Sequence, residues 1–201
     1  MPTLVAYPGK VKVADQEIYL DNAPNFSAKV AIAREVDDDL RAWLSARGIE
    51  TLHQAFAELE RADWMIRLIA ACGVAVEQAQ CVGFAADCAQ HVLHLWQAAF
   101  PNDEEPAQAI AEARHASVES DAAASDALRA GIRAILHSDP PNNRAGYAAT
   151  AAAAAAFAAE SGRPSDYNLG CAADAAHRAQ AAADSLEEER RWQMDCLRRW
   201  F

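Results

Sequence analysis

Residues 81–116, with the sequence CVGFAADCAQHVLHLWQAAFPNDEEPAQAIAEARHA, predict two helices joined by a short hinge. The apolar positions of the first helix follow one another at intervals of four, four, three and one: Phe84, Cys88, Val92, Leu95 and Trp96. This spacing places them on one side of an α-helix. The helix must end before Pro101, because a proline disfavours the helical conformation of the residue that precedes it.

The hinge at residues 101–106 contains start signals for the second helix. Asp103 can accept a hydrogen bond from the first free backbone amides. Glu104 and Glu105 carry negative charge where the helix dipole favours it. Pro106 is tolerated in a first turn. The whole stretch therefore predicts a helical hairpin whose hinge is acidic and exposed.

The first thirty residues have a different pattern. Residues 4–7, a turn signal at residues 8–9 and the β-type segment 11–20 predict a short β-hairpin. A hairpin alone is marginally stable in water, so it must lie on the helices or pair with another chain. A disordered segment is the alternative. We assign residues 1–30 to this segment and residues 31–201 to a single helical domain.

Amphipathic helices with clear ends follow the hairpin. Gly48 provides a C-terminal stop for the first helix. Thr51 and Gln54 form a capping-box pattern for the second. Asp63 is expected to cap a third helix over residues 64–71, and Gly73 is expected to end it.

The second half of the sequence is also helical in pattern. Residues 128–136 predict an amphipathic helix, and residues 144–160, which are nearly all alanine, predict a close-packed interior helix. Ser185 with Glu188 predicts a capping box at the start of the last helix. The predicted fold class is mainly α, a multi-helix bundle or short helical array with a short N-terminal β-hairpin.

The composition restricts the class of partner. The chain has 201 residues and a formal net charge of −11 at pH 7. This charge argues against nucleic-acid binding, which requires basic patches that displace counterions. It favours a basic protein partner, because opposite fields steer association. The sequence shows no secretion signal and no membrane-length apolar run, and its five cysteines have no paired spacing, so we predict a cytoplasmic protein with reduced thiols and no membrane contact.

One helix face approaches the pattern of a metal site. Asp87, His91 and His94 can share this face. A zinc site needs three or four ligands in a tetrahedron, and no second paired motif completes this one. We therefore predict no metal and no cofactor. The runner-up is a metal-dependent helical enzyme that uses these residues, or the carboxylates of residues 37–39 facing those of residues 187–189.

The remaining candidates are partner-binding residues, because no nucleophile elbow, phosphate-cradling loop or dinucleotide fingerprint occurs in the sequence. They are Asp37, Asp38, Asp39, Asp103, Glu104, Glu105 and Trp192. The two acidic segments complement a basic surface, with the alternative that they are simply solvated. Trp192 lies off the apolar face of the last helix, among arginines, and either covers a neighbouring helix or anchors a partner.

Short segments between residues 40 and 200 carry a resemblance to a known family. They are DWMIRL at 63–68, DCAQ at 87–90 with Val92-Leu93, the hinge with Pro101, Asp103 and Pro106, Ala109-Ile110 with Ala113-Arg114, and ERRWQ at 189–193 with Leu197. The sequence resembles small helical immunity proteins of bacterial polymorphic toxin systems. The resemblance implies a protein that neutralises a cognate toxin by binding it, without catalysis. A structural interaction module, such as a homodimer formed through the hairpin or the alanine-rich helices, is a further alternative.

Overall fold

The computed structural model describes residues 10–13, 16–19, 38–119, 144–160 and 165–201. Eight α-helices lie within these ranges: α1 (Asp38–Arg47), α2 (Leu52–Glu58), α3 (Ala62–Ala71), α4 (Gln78–Ala99), α5 (Glu105–Glu119), α6 (Arg144–Ala158), α7 (Ser165–Ala182) and α8 (Leu186–Trp200). The predicted mainly α class is confirmed.

Two short strands precede the helices. β1 (Lys10–Val13) and β2 (Gln16–Tyr19) pair antiparallel. Residues 1–9, which contain the first strand and the turn expected from the sequence, lie outside the described residues, so the predicted hairpin stays a prediction. The helix expected around residues 128–136 also lies outside them.

Local sequence signals explain where several helices begin and end. The Thr51 hydroxyl oxygen accepts a hydrogen bond from the Gln54 amide at 3.2 Å, and the Gln54 side chain accepts one from the Thr51 amide at 3.0 Å, which confirms the predicted capping box. Gly48 and Gly73 follow α1 and α3 with φ angles of 63° and 64°. Glycine adopts these angles without the strain that a Cβ atom would add. Ser185 accepts a hydrogen bond from the backbone amide three residues later and so caps α8.

The prediction that Asp63 caps α3 is wrong. The helix begins at Ala62, and its N-cap residue is Arg61, which makes no capping hydrogen bond with its side chain. Asp63 lies inside the first turn and is only 1% exposed. The Arg61 guanidinium donates two hydrogen bonds to the Asp63 carboxylate, one from Nε at 3.2 Å and one from Nη2 at 2.7 Å. The carboxylate therefore serves the packing of α3 against the helices beneath it, not the helix terminus.

The hinge between α4 and α5 follows the predicted signals but is less exposed than predicted. Oδ1 of Asp103 accepts a hydrogen bond from the Glu105 amide at 3.0 Å, and the Asp103 carbonyl oxygen accepts one from Trp96 Nε1 at 3.2 Å. Pro106 is buried in the first turn of α5. Glu104 is exposed, whereas Asp103 and Glu105 are half-buried.

Helices α4, α6 and α7 pack together at the centre of the helical region. The alanines of α6 are buried on nearly every side, as predicted: Ala145, Ala148, Ala149, Ala151, Ala152, Ala153, Ala154, Ala155, Ala156 and Ala158. Because an alanine side chain is a single methyl group, neighbouring helices can approach closely and still fill the space between them. Around this centre, α3 packs on α7, α5 packs on α4 and α6, and α8 packs against α3, α4 and α7.

Candidate functional site

A chain of buried hydrogen bonds crosses α3, α7 and α8. Nε2 of Gln180 donates to Asp63 Oδ1 at 3.1 Å and to Gln193 Oε1 at 2.8 Å. Nε2 of Gln193 in turn donates to Glu189 Oε1 at 2.8 Å and to a backbone carbonyl oxygen of α7 at 3.0 Å. These four side chains belong to residues that are at most 6% exposed. Because each buried amide uses both of its donor hydrogens, the chain fixes the three helices relative to one another.

Asp63 forms one end of this chain and is stabilised as a carboxylate. Burial alone would raise the pKa of the Asp63 carboxyl, but the hydrogen bonds and charge of Arg61, together with the Gln180 hydrogen bond, outweigh burial and lower the pKa below its usual 3.8. The Arg61 guanidinium also lies over the Trp64 ring, 4.0 Å from the ring centroid. The guanidinium is therefore held between an anion and an aromatic face.

His91 on α4 forms the other end, where the chain reaches the surface. Its Nδ1 atom lies 2.7 Å from Glu189 Oε2, and the two side chains are 41% and 2% exposed respectively. The indole of Trp192 stacks on the His91 imidazole with centroids 3.8 Å apart and an interplanar angle of 3°. Since one ring nitrogen is bound and one ring face is covered, the imidazole is fixed in place. We term His91 and Trp192 the aromatic platform.

Asp87, one turn before His91 on α4, connects α4 to α5 and α8. Its Oδ1 accepts a hydrogen bond from Arg114 Nη2 at 2.8 Å, and its Oδ2 accepts one from Trp200 Nε1 at 2.9 Å. The Trp200 ring lies over Gly83, where an added Cβ atom would come within 2.2–2.4 Å of ring carbons. These contacts align α8 along α4 and so bring Trp192 onto His91.

The three candidate metal ligands do not converge. Asp87 binds Arg114 and Trp200, His91 binds Glu189, and Nδ1 of His94 lies 3.1 Å from the His91 carbonyl oxygen. No group of three or more His, Cys, Asp or Glu side chains could hold a metal ion within the part of the chain that the structure describes. In the same part of the chain, no helix is long and apolar enough to cross a membrane.

The partner-binding candidates on α1 and the hinge differ in their environments. Asp37 lies outside the described residues. Asp38 and Asp39 are exposed at the start of α1, and Asp38 forms an exposed ion pair with Arg41 at 3.1 Å. Of the three acidic residues of the hinge, only Glu104 is exposed. The Asp103 carboxylate accepts a hydrogen bond from the first turn of α5.

The three consecutive glutamates at the start of α8, residues 187–189, lie in three different environments. Glu187 pairs with Arg191 at 3.0 Å. Glu189 is buried in the hydrogen-bond chain. Glu188 is exposed, and among the described side chains its carboxylate has no ion-pair partner. This run therefore does not form one chelating cluster.

The sequence did not predict the buried residues that support the aromatic platform. The available signal in the sequence was a polar pair, Glu189 and Gln193, four residues apart on α8. The same face of the helix also carries Leu197. Nothing in the sequence connects this pair to His91, which is 98 residues away from Glu189.

Comparison with known proteins adds one finding. A family model described as Imm-5 like putative immunity protein matches residues 74–199, more than half of the chain. The matched range contains α4 to α7 and nearly all of α8, and with them the aromatic platform and Asp87. Helices α1 to α3 precede it. No curated protein and no solved structure matches the chain.

Proposed function

Because the chain belongs to the Imm-5 like putative immunity protein family, we propose that it neutralises a cognate toxin of a polymorphic toxin system by binding it, without catalysis. The family match over residues 74–199 is the observation that carries the proposal. Inhibition of this kind requires a surface complementary to the toxin in shape and charge, and it requires no reactive group.

The hydrogen-bond chain supports a role in binding because it makes one surface rigid. Glu189, Gln193 and Gln180 hold α8 against α7 and α4 beneath the aromatic platform. A surface that is already ordered loses less conformational entropy when a partner binds. Helices fixed in this way suit a protein that must present the same face to the toxin at every encounter.

The charge supports a basic toxin. The net charge is −11, and Asp38, Asp39, Glu104 and Glu188 are exposed. An acidic surface accelerates encounter with a basic partner and selects against acidic ones. All five cysteines are free thiols, as is usual in the reducing cytoplasm, where we place the neutralisation.

Growth rescue tests the proposal. Candidate toxins encoded in the same genome are each expressed with and without this protein, and each pair is purified together. We expect growth to be restored and a stable complex to be recovered. A toxin that remains lethal in the presence of the folded protein, with no complex formed, contradicts the proposal.

Charge-reversal variants test whether the exposed carboxylates contribute to association with the toxin. Glu104→Lys and the double variant Asp38→Lys, Asp39→Lys are expected to slow association with the toxin by on the order of tenfold. Asp103 is left intact, because reversing it would also remove the capping hydrogen bond of α5. Glu60→Lys, at an exposed position between α2 and α3, is the matched control. Association rates equal to that of the control would exclude these carboxylates from the interface.

A further inference from the structure

We propose that the toxin contact is centred on Trp192 and that it binds a lysine or arginine side chain of the toxin between the indole and the Glu188 carboxylate. This inference rests on the proposed function and specifies the chemistry of its interface. The partner group is a single basic side chain of a protein, placed where an aromatic ring and a carboxylate lie side by side.

Trp192 differs from Trp43 and Trp64, two other half-buried tryptophans of the described helices. Trp43 already has the Arg47 guanidinium 4.7 Å from its ring centroid, and Trp64 has Arg61 at 4.0 Å. Trp192 has an imidazole on one ring face and, among the described residues, no cation over the other. No described cation therefore competes for this half-buried indole with a cation from outside the chain.

Hydrogen bonding by the indole nitrogen also distinguishes Trp192 from Trp96 and Trp200. Trp96 and Trp200 donate from Nε1 to oxygens of Asp103 and Asp87. In the described part of the molecule, Trp192 Nε1 donates to no protein group. A half-buried indole with a free donor is a common anchor of protein interfaces, because it combines a large apolar area with one directional hydrogen bond.

Glu188 lies four residues before Trp192 on α8, so the two side chains are neighbours on the helix surface. Two other carboxylates on the exposed face of α8 already have ion-pair partners: Glu187 pairs with Arg191 at 3.0 Å, and Asp195 pairs with Arg198 at 2.8 Å. Glu188 has no such partner among the described side chains. A lysine or arginine that stacks on the indole can form an ion pair with this carboxylate at the same time.

His91 is the positioning residue of this surface. Because its Nδ1 is bound to the buried Glu189 carboxylate, the imidazole supports the indole from behind in one orientation. Fixing the indole before the toxin arrives reduces the entropy lost on binding. The aromatic platform is thus ordered by the core but contacts the partner only through Trp192.

Affinity measurements test the inference. The probe is the toxin identified by the growth-rescue test, purified as a non-toxic variant. Trp192→Ala is expected to weaken binding by about 30-fold or more, the effect typical of an interface anchor. Glu188→Gln is expected to weaken it about threefold to tenfold and to reduce the dependence of affinity on salt. Trp64→Ala, which removes a half-buried indole of α3 already covered by Arg61, is the matched control and should bind like the wild type.

Further results distinguish a misfolded variant, a failure of this inference and a failure of the proposed function. If Trp192→Ala does not fold, Trp192→Phe keeps the stack on His91 but lacks the indole donor, and it is expected to bind more weakly than the wild type. Wild-type affinity in the folded Trp192 variant and in Glu188→Gln would overturn the inference while leaving the proposed function intact. Failure of the wild-type protein to bind the toxin would overturn both.

Discussion

Nδ1 of His91 lies 2.7 Å from Oε2 of Glu189, although the two residues are 98 positions apart in the chain. This contact joins α4 to α8 at the point where a fully buried polar chain meets the surface. A buried carboxylate is stable only when its oxygens are paired, so the exposed imidazole and the core glutamate depend on each other. The surface that we assign to toxin binding is therefore an extension of the core.

Removing the imidazole should reveal this dependence. His91→Ala is expected to lower the free energy of unfolding by about 1–3 kcal/mol, because one oxygen of the buried Glu189 carboxylate loses its partner. Urea denaturation measures the change. His94→Ala is the control, since the His94 ring is exposed and its Nδ1 lies near a backbone carbonyl oxygen, that of His91; its effect should be within about 0.5 kcal/mol. Equal effects of the two variants would rule out the buried partner as the cause.

The Asp63 ion pair should give stability a defined pH dependence. The pKa of the Asp63 carboxyl is lowered in the folded protein, from 3.8, so its stabilising effect is complete above the unfolded-state pKa and is lost as the pH falls through the lower folded value. Asp63→Asn is expected to be about 2–3 kcal/mol less stable than the wild type at neutral pH. This gap should narrow below about pH 4.

Unfolding curves of the wild type and Asp63→Asn at a series of pH values measure this gap. A gap that is the same at neutral pH and in acid would show that the charge of Asp63 does not cause it, and would leave side-chain packing as the explanation.

A pair of glycine substitutions tests how α8 is seated on α4. Gly83→Ala would place a methyl group within 2.2–2.4 Å of the Trp200 ring, so the ring must move and its hydrogen bond to Asp87 is lost. We expect a loss of about 1–3 kcal/mol in unfolding free energy. Gly170→Ala, in α7 with nothing within 4 Å, should instead stabilise the protein by about 0.5–1 kcal/mol. Calorimetric melting temperatures that rise in both variants would contradict the seating of Trp200 over Gly83.

Thiol labelling tests the burial of the helices. Burial raises the pKa of the Cys81 thiol to about 12, and burial together with the Asp87 carboxylate raises that of Cys196 to about 12. Burial, with nearby groups that include the Glu189 and Asp87 carboxylates, raises the pKa of Cys88 well above its usual value. Cys72 and Cys171 are only half-buried. We expect iodoacetamide to modify these two first at neutral pH and to reach the other three only after unfolding. Mass spectrometry that finds Cys88 among the first modified sites would disprove this packing.

The parts of the fold that the sequence predicts correctly depend on near neighbours. The Thr51–Gln54 capping box and the stops at Gly48 and Gly73 involve residues within a few positions of each other, so their physics is visible in a short window. The interior position of the alanine helix follows from side-chain size alone. These features could be predicted before any tertiary contact was known.

The parts that the sequence did not predict depend on distant partners. Aspartate is a residue type that often caps helices, but the Asp63 carboxylate is buried and accepts hydrogen bonds from Arg61, two positions before it, and from Gln180, 117 positions away. Likewise the acidic run of α8 looks uniform in sequence, and only the approach of α4 buries Glu189 and leaves Glu188 exposed. Tertiary contacts of this kind override local preference because burial changes the energy of a charge far more than a cap does.

The most direct test of neutralisation by binding is a titration of the active toxin with this protein, in which residual toxin activity is measured at each molar ratio. We expect the activity to fall in proportion to the added protein and to reach zero at a fixed stoichiometry, with both chains recovered chemically unchanged from the complex. Complete inactivation by a small fraction of an equivalent would show that the protein acts as a catalyst, and undiminished activity at every ratio would show that it does not neutralise this toxin.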